Sequence, residues 1–266
     1  MHRADGDQLD MSFTHIGPGR IEYECVDIGT SGTSPIVMLH EGLGSVSMWK
    51  DFPERLARAT QSRVIVYSRH GHGRSAPLRG PRSPRYMHEE ALTVLPQLLD
   101  HLRIDNPILF GHSDGGSIAL IHAGAGHRAV RGIVTLAPHV MVEEIAVRAI
   151  AAARVAYQTT DLRARLARYH DDVDGVFWGW NDIWLHPAFR CWDIQEYLPR
   201  IRCPILAIQG EEDEYGTMMQ VDLLARGASN VARLPLSNCG HSPHRDRSDA
   251  VLEAVANWPG QSLGPT

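Results

Sequence analysis

Short apolar runs alternate with helical patterns along most of the chain. The runs predict buried strands at residues 20–26, 35–39, 63–67, 107–110, 132–136 and 204–208. Helical stretches lie between or after them, at residues 46–59, 87–102, 115–125 and 246–258. Apolar strands that alternate with helices favour a parallel sheet with both faces covered. We therefore predict an α/β fold built on a doubly wound, mostly parallel sheet.

Residues 139–202 interrupt this rhythm, because they contain no convincing strand. The segment 143–157 is rich in alanine and helical, and the segment 176–192 carries six aromatic side chains. We predict a helical lid at 139–202, inserted into a core of residues 1–138 and 203–266. Candidate substrate contacts are Leu43 in the core and, in the lid, Trp178, Trp180 and Trp184. The alternative is that these rings only pack the insertion onto the sheet.

Charge and hydropathy indicate which binding partners and which cellular compartment to expect. The 266 residues carry a formal net charge of −5 without a basic stripe, which argues against nucleic acid. No run of about 18 apolar residues occurs, so we predict no membrane-spanning helix. The first eleven residues lack the apolar run of a secretory signal, and the four cysteines form no C-x-x-C pair. We expect a cytoplasmic protein with a small-molecule substrate; its oligomeric state stays open, a homodimer included.

Fifteen histidines raise the question of a metal site. His70 and His72 lie in one glycine-rich loop, and His241 and His244 lie close together in another segment. Neither pair has an acidic or cysteine partner at the spacing of metal ligands. We therefore predict no metal and no other cofactor.

The segment 111–115 carries the strongest chemical signal. It reads Gly-His-Ser-Asp-Gly, follows the predicted strand 107–110 and opens a helix. In this context a G-x-S-x-G motif forms a sharp turn that exposes the serine hydroxyl, while the glycines leave room for the turn. The first amides of the helix then point at the reacting oxygen. The motif predicts Ser113 as a nucleophile.

A serine hydroxyl needs a base, and the base needs an acid to orient it. His241 is the candidate base, because it lies on a loop between the apolar run 231–236 and the last helix. Asp213 is the candidate acid, because it closely follows a buried strand in a Gly-Glu-Glu-Asp segment. Its rivals are Glu211, Glu212 and Glu214.

Acyl transfer also needs backbone donors for the oxyanion. The amide of Asp114, directly after the nucleophile, is one candidate. The loop 40–44 reads His-Glu-Gly-Leu-Gly and has the flexible glycines that such a site requires. Its Gly42 amide is our second candidate, with the Leu43 amide as its rival.

Over residues 12–258 the chain resembles the α/β-hydrolase superfamily. The resemblance rests on the loops 40–44 and 71–75 and on the segments 111–115, 210–213 and 240–241. It implies a nucleophile, acid and base at Ser113, Asp213 and His241, in the order of this fold, and an oxyanion hole from Gly42 and Asp114.

The chain departs from the superfamily pattern in two loops. Glu41 follows His40 where the family often has glycine, and Ser68 and His70 stand where it often has aspartate and arginine. The Ser-Asp-Gly-Gly segment at 113–116 also resembles valacyclovir hydrolase-like enzymes, in which the acid beside the nucleophile binds a substrate amino group. Carboxylesterases, enol-lactonases and carbon–carbon hydrolases share the scaffold, so the fold alone does not choose among them.

Asp114 needs a compensating partner in any of these readings. At about 5 Å and an effective dielectric of 20, its carboxylate would oppose an oxyanion by roughly 3 kcal/mol. The start of the helix, a nearby arginine or a substrate ammonium could each offset this. All three stay open at this point.

The chemistry so far predicts hydrolysis of a small carboxylic ester or lactone through an acyl-enzyme on Ser113. The alternatives are a carbon–carbon bond hydrolase of a ring-fission product, a thioesterase and an amino-acid ester hydrolase. From a different class comes a ligand-binding receptor that has kept the triad and lost turnover.

Overall fold

A single sheet of eight strands organises the part of the chain that the computed structural model describes, residues 12–29, 33–258 and 260. The strands are β1 (Ser12–Ile16), β2 (Gly19–Val26), β3 (Ile36–Leu39), β4 (Val64–Tyr67), β5 (Ile108–His112), β6 (Gly132–Leu136), β7 (Ile205–Gly210) and β8 (Val231–Leu236). Their order across the sheet is β1-β2-β4-β3-β5-β6-β7-β8. The N-terminal segment 1–11 and its predicted lack of a signal lie outside the described residues.

Parallel pairing dominates the sheet. Strands β4, β3, β5, β6, β7 and β8 pair in parallel, while β1 and β2 form an antiparallel hairpin along one edge. The hairpin turns at Gly17, whose φ of 53° suits a residue without Cβ. The prediction of an α/β, mostly parallel sheet is confirmed.

The described helices are α1 (Phe52–Thr60), α2 (Tyr86–Glu89), α3 (Leu95–His101), α4 (Asp114–Ala125), α5 (Glu144–Thr159), α6 (Leu162–Leu166), α7 (Val173–Leu185), α8 (Met219–Gly227), α9 (Pro243–Asp246) and α10 (Ser248–Ala256). Two predicted helices lie close to their expected bounds, 115–125 and 143–157, whereas α6, α7 and α8 were not predicted individually. Among these described helices, none is long and apolar enough to cross a membrane.

Prolines account for two departures from the predicted helices. The stretch 46–59 divides into a short 3₁₀ turn, Val46–Trp49, and α1, which has Pro53 in its first turn. The stretch 87–102 becomes α2 and α3, joined by the π-helical turn Glu90–Val94. Pro96 follows that turn and has no N–H to donate to the preceding turn, so the helix changes its hydrogen-bond spacing there.

Two apolar layers enclose the sheet. Val37 and Leu39 of β3 belong to one buried cluster, which includes residues of α3 and α4. Ile36 and Met38, which alternate with them, belong to the other, which includes residues of α1 and α10. Since successive side chains on a strand point to opposite faces, helices cover both faces, as a doubly wound sheet requires.

Helices α5, α6 and α7 form an insertion between β6 and β7. Among the described residues of this insertion there is no strand, and its β-type pairing is one isolated bridge between Met141 and Asp193. His170 of the insertion contacts two core loops: its Nε2 lies 2.8 Å from the carbonyl oxygen of Leu43, and its Nδ1 accepts a 2.9 Å bond from the amide of Gly73. These loops follow β3 and β4, so the insertion lies over the carboxyl ends of parallel strands.

Candidate active site

Ser113 occupies the tight turn between β5 and α4. Its backbone is left-handed, with φ 53° and ψ −117°. A Cβ on Gly111 would come within 2.3 Å of the Gly115 carbonyl oxygen, and a Cβ on Gly115 within 2.1 Å of the Leu39 carbonyl oxygen. Both glycines are therefore required by close backbone contacts around the turn.

His241 and Asp213 extend from Ser113 in a line. The Nε2 atom of His241 lies 2.9 Å from the Ser113 hydroxyl oxygen, and its Nδ1 atom lies 2.9 Å from each Asp213 carboxylate oxygen. Burial raises the pKa of Asp213, but the hydrogen bond and charge of His241 outweigh it and hold that pKa below its usual range. An ionised Asp213 keeps the proton on Nδ1 and leaves Nε2 free to accept the serine proton.

Three further groups hold the Asp213 carboxylate. The amides of Tyr215 and Gly216 donate to Oδ1 at 2.7 and 3.2 Å, and the Gln209 side chain donates to Oδ2 at 2.8 Å. Gln209 is fully buried at the end of β7, and sequence reasoning missed it. The available signal was a polar side chain at the end of an otherwise apolar strand.

The rival acids lie elsewhere. The Glu211 carboxylate accepts a 2.5 Å bond from the Ser237 hydroxyl, and Glu214 accepts a 3.3 Å bond from the backbone amide of His241. Among the four candidate acids, all of them described, Asp213 is the one whose carboxylate reaches the imidazole.

The hydrogen bonds of the loop after β3 distinguish its two candidate oxyanion donors, the amides of Gly42 and Leu43. The Glu41 carboxylate accepts a short hydrogen bond from the Leu43 amide, so that amide is occupied. The Gly42 amide makes no hydrogen bond to any other residue that the structure describes. Asp114 is the first residue of α4, a position whose amide has no partner within the helix. The two favoured amides are thus the available ones.

Glu41 is the residue that replaces the expected glycine. Its carboxylate folds back onto its own loop, and burial raises its pKa even though the Leu43 amide and the Arg69 guanidinium favour the charged form. Glu41 therefore fixes the loop that carries Gly42. The same bond occupies the amide of Leu43, the rival candidate donor.

A buried arginine and a tyrosine compensate Asp114. The Tyr86 hydroxyl donates to Oδ2 of Asp114 at 2.7 Å, and Nη1 of Arg69 lies 3.5 Å from the same oxygen. The Arg69 and Asp114 side chains are 1% and 2% exposed. Burial and the Asp114 charge hold the pKa of Tyr86 well above its usual range, so its hydroxyl stays a donor. Of the three compensating partners considered, the structure contains two, the start of α4 and the arginine.

The three candidate tryptophans of the predicted lid lie on two different faces of α7, as helical periodicity requires. Trp180 and Trp184, four residues apart, share one face of α7. The Trp180 indole lies against Gly42, where a Cβ would meet it at 2.3 Å, and Trp184 Nε1 donates to the Tyr86 hydroxyl at 3.0 Å. Trp178 lies on another face of α7, where the guanidinium carbon of Arg154 is 5.6 Å from the centroid of its ring.

Aromatic and imidazole rings surround His241, and sequence reasoning missed them. The ring centroids of Tyr215, His112 and His139 lie 4.7, 5.2 and 5.8 Å from that of His241. Burial, together with the charge of His241, lowers the pKa of His139 to about 4. In the described part of the chain, no group of three or more His, Cys, Asp or Glu side chains could hold a metal ion.

The fold and this geometry agree with a comparison against known families. The model of the alpha/beta hydrolase family matches residues 36–254, and the chain belongs to that family. Proline iminopeptidase from Lactobacillus crispatus (strain ST1) is 23% identical over 270 residues, covering 86% of this chain and 90% of that one. Esterase YbfF from Escherichia coli (strain K12) is 28% identical over 248 residues, covering 85% and 92%.

Two further comparisons differ in their coverage. The sn-1-specific diacylglycerol lipase ABHD11 of Danio rerio is 29% identical over 123 residues, which are 46% of this chain and 36% of that protein. The match thus spans about a third of the relative's length. The enol-lactonase from Burkholderia xenovorans LB400 has the same fold, with a TM-score of 0.72 and 21% identity over 92% of this chain and 98% of that one.

We expect the buried pair of Arg69 and Asp114 to be strongly coupled. Arg69→Met should lower the free energy of unfolding by about 3–5 kcal/mol, because it leaves a buried carboxylate without its counter-charge. Adding Asp114→Asn should restore a large part of that loss. Urea unfolding of the four proteins in this double-mutant cycle measures the coupling, and strictly additive losses would contradict it.

We expect His139 to make stability depend on pH. An unfolded histidine titrates near 6.5 and folded His139 near 4, so between these values only the unfolded chain binds the proton. The free energy of unfolding should therefore fall as the pH drops through this window. His139→Phe should reduce the slope by up to about 1.4 kcal/mol per pH unit. Urea unfolding from pH 4.5 to 6.5 measures it, with exposed His127→Asn as control; equal slopes for His139→Phe and wild type would refute the assignment.

Proposed function

We propose that this alpha/beta hydrolase is a serine hydrolase that cleaves a small carboxylic ester or lactone through an acyl-enzyme on Ser113. One observation carries the proposal: His241 Nε2 lies 2.9 Å from the Ser113 hydroxyl oxygen, while Nδ1 is held by the ionised Asp213. This is the arrangement in which a serine hydroxyl becomes a nucleophile.

The proposed reaction proceeds in two halves. Ser113 attacks the carbonyl carbon while His241 takes its proton, and the amides of Gly42 and Asp114 bind the oxyanion. His241 then protonates the leaving alcohol as its bond to the acyl carbon breaks. In the second half His241 takes a proton from water, which attacks the acyl carbon. His241 then returns that proton to the Ser113 oxygen as the acyl bond breaks, which releases the acid and restores the enzyme. A lactone would give one hydroxy acid in place of separate acid and alcohol.

The named relatives support acyl transfer, and the Asp114 contacts narrow it. Their names include an esterase, an enol-lactonase and a proline iminopeptidase. A substrate ammonium would need an acid that is free to receive it. Asp114 is 1% exposed and its Oδ2 is already paired with Arg69 and Tyr86, which favours an ester or lactone over an amino-acid derivative although its Oδ1 has no hydrogen-bond partner within the described residues.

The insertion supplies the proposed lid over this site. Within residues 139–202, Trp180 lies against Gly42, so its ring covers the proposed oxyanion site. Residues 1–138 and 203–266 would then form the catalytic core. We place the protein in the cytoplasm, because its cysteines, Cys25, Cys191, Cys203 and Cys239, are free thiols, as expected in a reducing compartment.

Loss of the proposed nucleophile or acid should abolish turnover. Ser113→Ala removes the covalent step, and Asp213→Asn disturbs the tautomer of His241, so each should lower kcat at least 10³-fold with a 4-nitrophenyl ester. Glu212→Gln is the matched control and should stay within threefold of wild type. Fluorophosphonate labelling followed by mass spectrometry should find the adduct on Ser113. A Ser113→Ala protein that keeps a tenth of the wild-type rate would overturn the proposal.

Trp180 should determine substrate choice, and Trp178 should not. Trp180→Ala opens space beside Gly42, so the ranking of kcat/KM across acetyl, butanoyl, hexanoyl and benzoyl esters should shift by at least fivefold. Trp178→Ala removes an indole from the same helix but from a different face. It should leave the ranking unchanged. If Trp180→Ala scaled all four esters by one factor, its ring would be packing alone.

A further inference from the structure

A cavity of about 450 Å³ lies beside the candidate active site. The triad residues do not line it, but Glu41 and Ser242 do, and they are the chain neighbours of Gly42 and His241. Consecutive Cα atoms are about 3.8 Å apart, so the cavity lies next to the reacting groups. A substrate whose carbonyl reaches Ser113 can therefore extend into this space.

The cavity lining includes a group of apolar side chains. Met48, Trp49 and Phe52 come from the segment after β3, and Leu162 and Leu166 come from α6 of the insertion. Trp49 and Phe52 stack with ring centroids 6.1 Å apart, which makes a rigid wall. These surfaces suit a hydrocarbon or aromatic stem.

The exposed part of the cavity lining is basic. The cationic lining residues are Lys50, Arg55, Arg165, Arg168 and Arg245. The acidic lining residues are Glu41, beside Gly42, and Asp51. The chain carries net charge −5 overall, so an excess of cations around one opening is a local feature and not a consequence of composition. Clefts lined by one sign of charge attract ligands of the other.

Some of these cations have carboxylate partners and some have none. Arg55 pairs with Asp249 at 2.6 Å, and Arg165 pairs with Asp161 at 3.2 Å. Asp249 is 95% exposed and Asp161 72% exposed, so these pairs are weak and exchange readily. Within residues 33–258, neither Lys50 nor Arg168 has a side-chain hydrogen bond or ion pair. These two cations are available to a ligand.

We propose that this cavity binds a part of the substrate that consists of an apolar stem and a terminal anionic group, a carboxylate or a phosphate. The proposal rests on the proposed function, because it names the class of ester that Ser113 cleaves. The stem packs between Trp49 and Leu166, and the anion lies at the basic opening with Lys50 and Arg168. The negative group is thus kept away from the oxyanion that forms beside Gly42.

Matched pairs of esters that differ only in charge test the proposal. On the alcohol side we compare 4-(butanoyloxy)benzoate with its neutral benzamide analogue, and 4-(butanoyloxy)phenyl phosphate distinguishes phosphate from carboxylate. On the acyl side we compare 4-nitrophenyl hydrogen adipate with the corresponding neutral adipamide ester. The variant is Lys50→Gln/Arg168→Gln. The control is Arg148→Gln, which removes an exposed cation from α5 outside the cavity.

We expect the anionic member of at least one pair to have about tenfold higher kcat/KM than its neutral partner. The ratio should fall close to one in Lys50→Gln/Arg168→Gln, persist in Arg148→Gln, and decrease as ionic strength rises. Two results would overturn the proposal: no anionic preference in either pair, or a preference that the double variant leaves intact.

Calorimetry on the Ser113→Ala background separates this proposal from the proposed function. If wild type hydrolyses no ester, the proposed function fails, yet the cavity remains testable by binding. The anionic member of at least one ester pair should then bind Ser113→Ala at least tenfold more tightly than its neutral partner. It should lose that advantage when Lys50→Gln/Arg168→Gln is added to Ser113→Ala. Equal binding of both ligands would refute the anion site even if ester hydrolysis is found.

Discussion

The left-handed backbone of Ser113 is the constraint around which the neighbouring structure is arranged. A non-glycine residue in such a conformation costs about 1–3 kcal/mol and persists only where its surroundings impose it. Here the Ser113 amide donates to the Leu136 carbonyl at 2.8 Å, and the Ser117 amide donates to the Ser113 carbonyl at 3.1 Å. Strands β5 and β6 and helix α4 therefore hold the turn from both sides. The result is a hydroxyl that stands clear of the sheet and faces His241.

A second constraint follows from the residue after Ser113. Helix α4 begins with a buried carboxylate, and a carboxylate in that place must be neutralised locally. Arg69, from the loop after β4, and Tyr86, from α2, supply the charge and the hydrogen bond. Trp184 of the insertion in turn donates to Tyr86. The turn at Ser113, the loop after β4, helix α2 and the insertion thus share one polar network. A displacement of α7 would therefore alter the hydrogen bonding of Asp114.

Local sequence patterns predicted what depends on neighbours in the chain. Buried strands, the turn at Ser113, and the order of serine, acid and histidine all follow from short segments with their own periodicity or spacing. Trp180 and Trp178 illustrate the limit, because composition does not distinguish two tryptophans on one helix. A helical projection would have placed them on different faces, but only the packing of α7 onto the loop at Gly42 shows that the face with Trp180 is the buried one.

Side-chain contacts that depend on the folded backbone were beyond the same reasoning, whether the partners are near or far along the chain. Arg69 and Asp114 are 45 positions apart in the numbering, and Gln209 reaches Asp213 only because β7 ends beside the turn that carries the acid. Glu41 was recognised as unusual, yet its bond to the Leu43 amide depends on how the loop closes. Side-chain geometry of this kind follows from the assembled sheet and not from any one segment.

The buried contacts among Asp114, Arg69 and Tyr86 also constrain how this protein can evolve. A lineage that loses Arg69 first leaves Asp114 with Tyr86 as its remaining partner, whereas Arg69 without Asp114 keeps its 2.7 Å bond to the Glu41 carbonyl. Either loss alone leaves a buried charge without its counter-charge, so neither position can change at low cost while the other stays. Descendants of this chain should accordingly inherit the acid and the arginine together or lose both, and rarely keep one by itself.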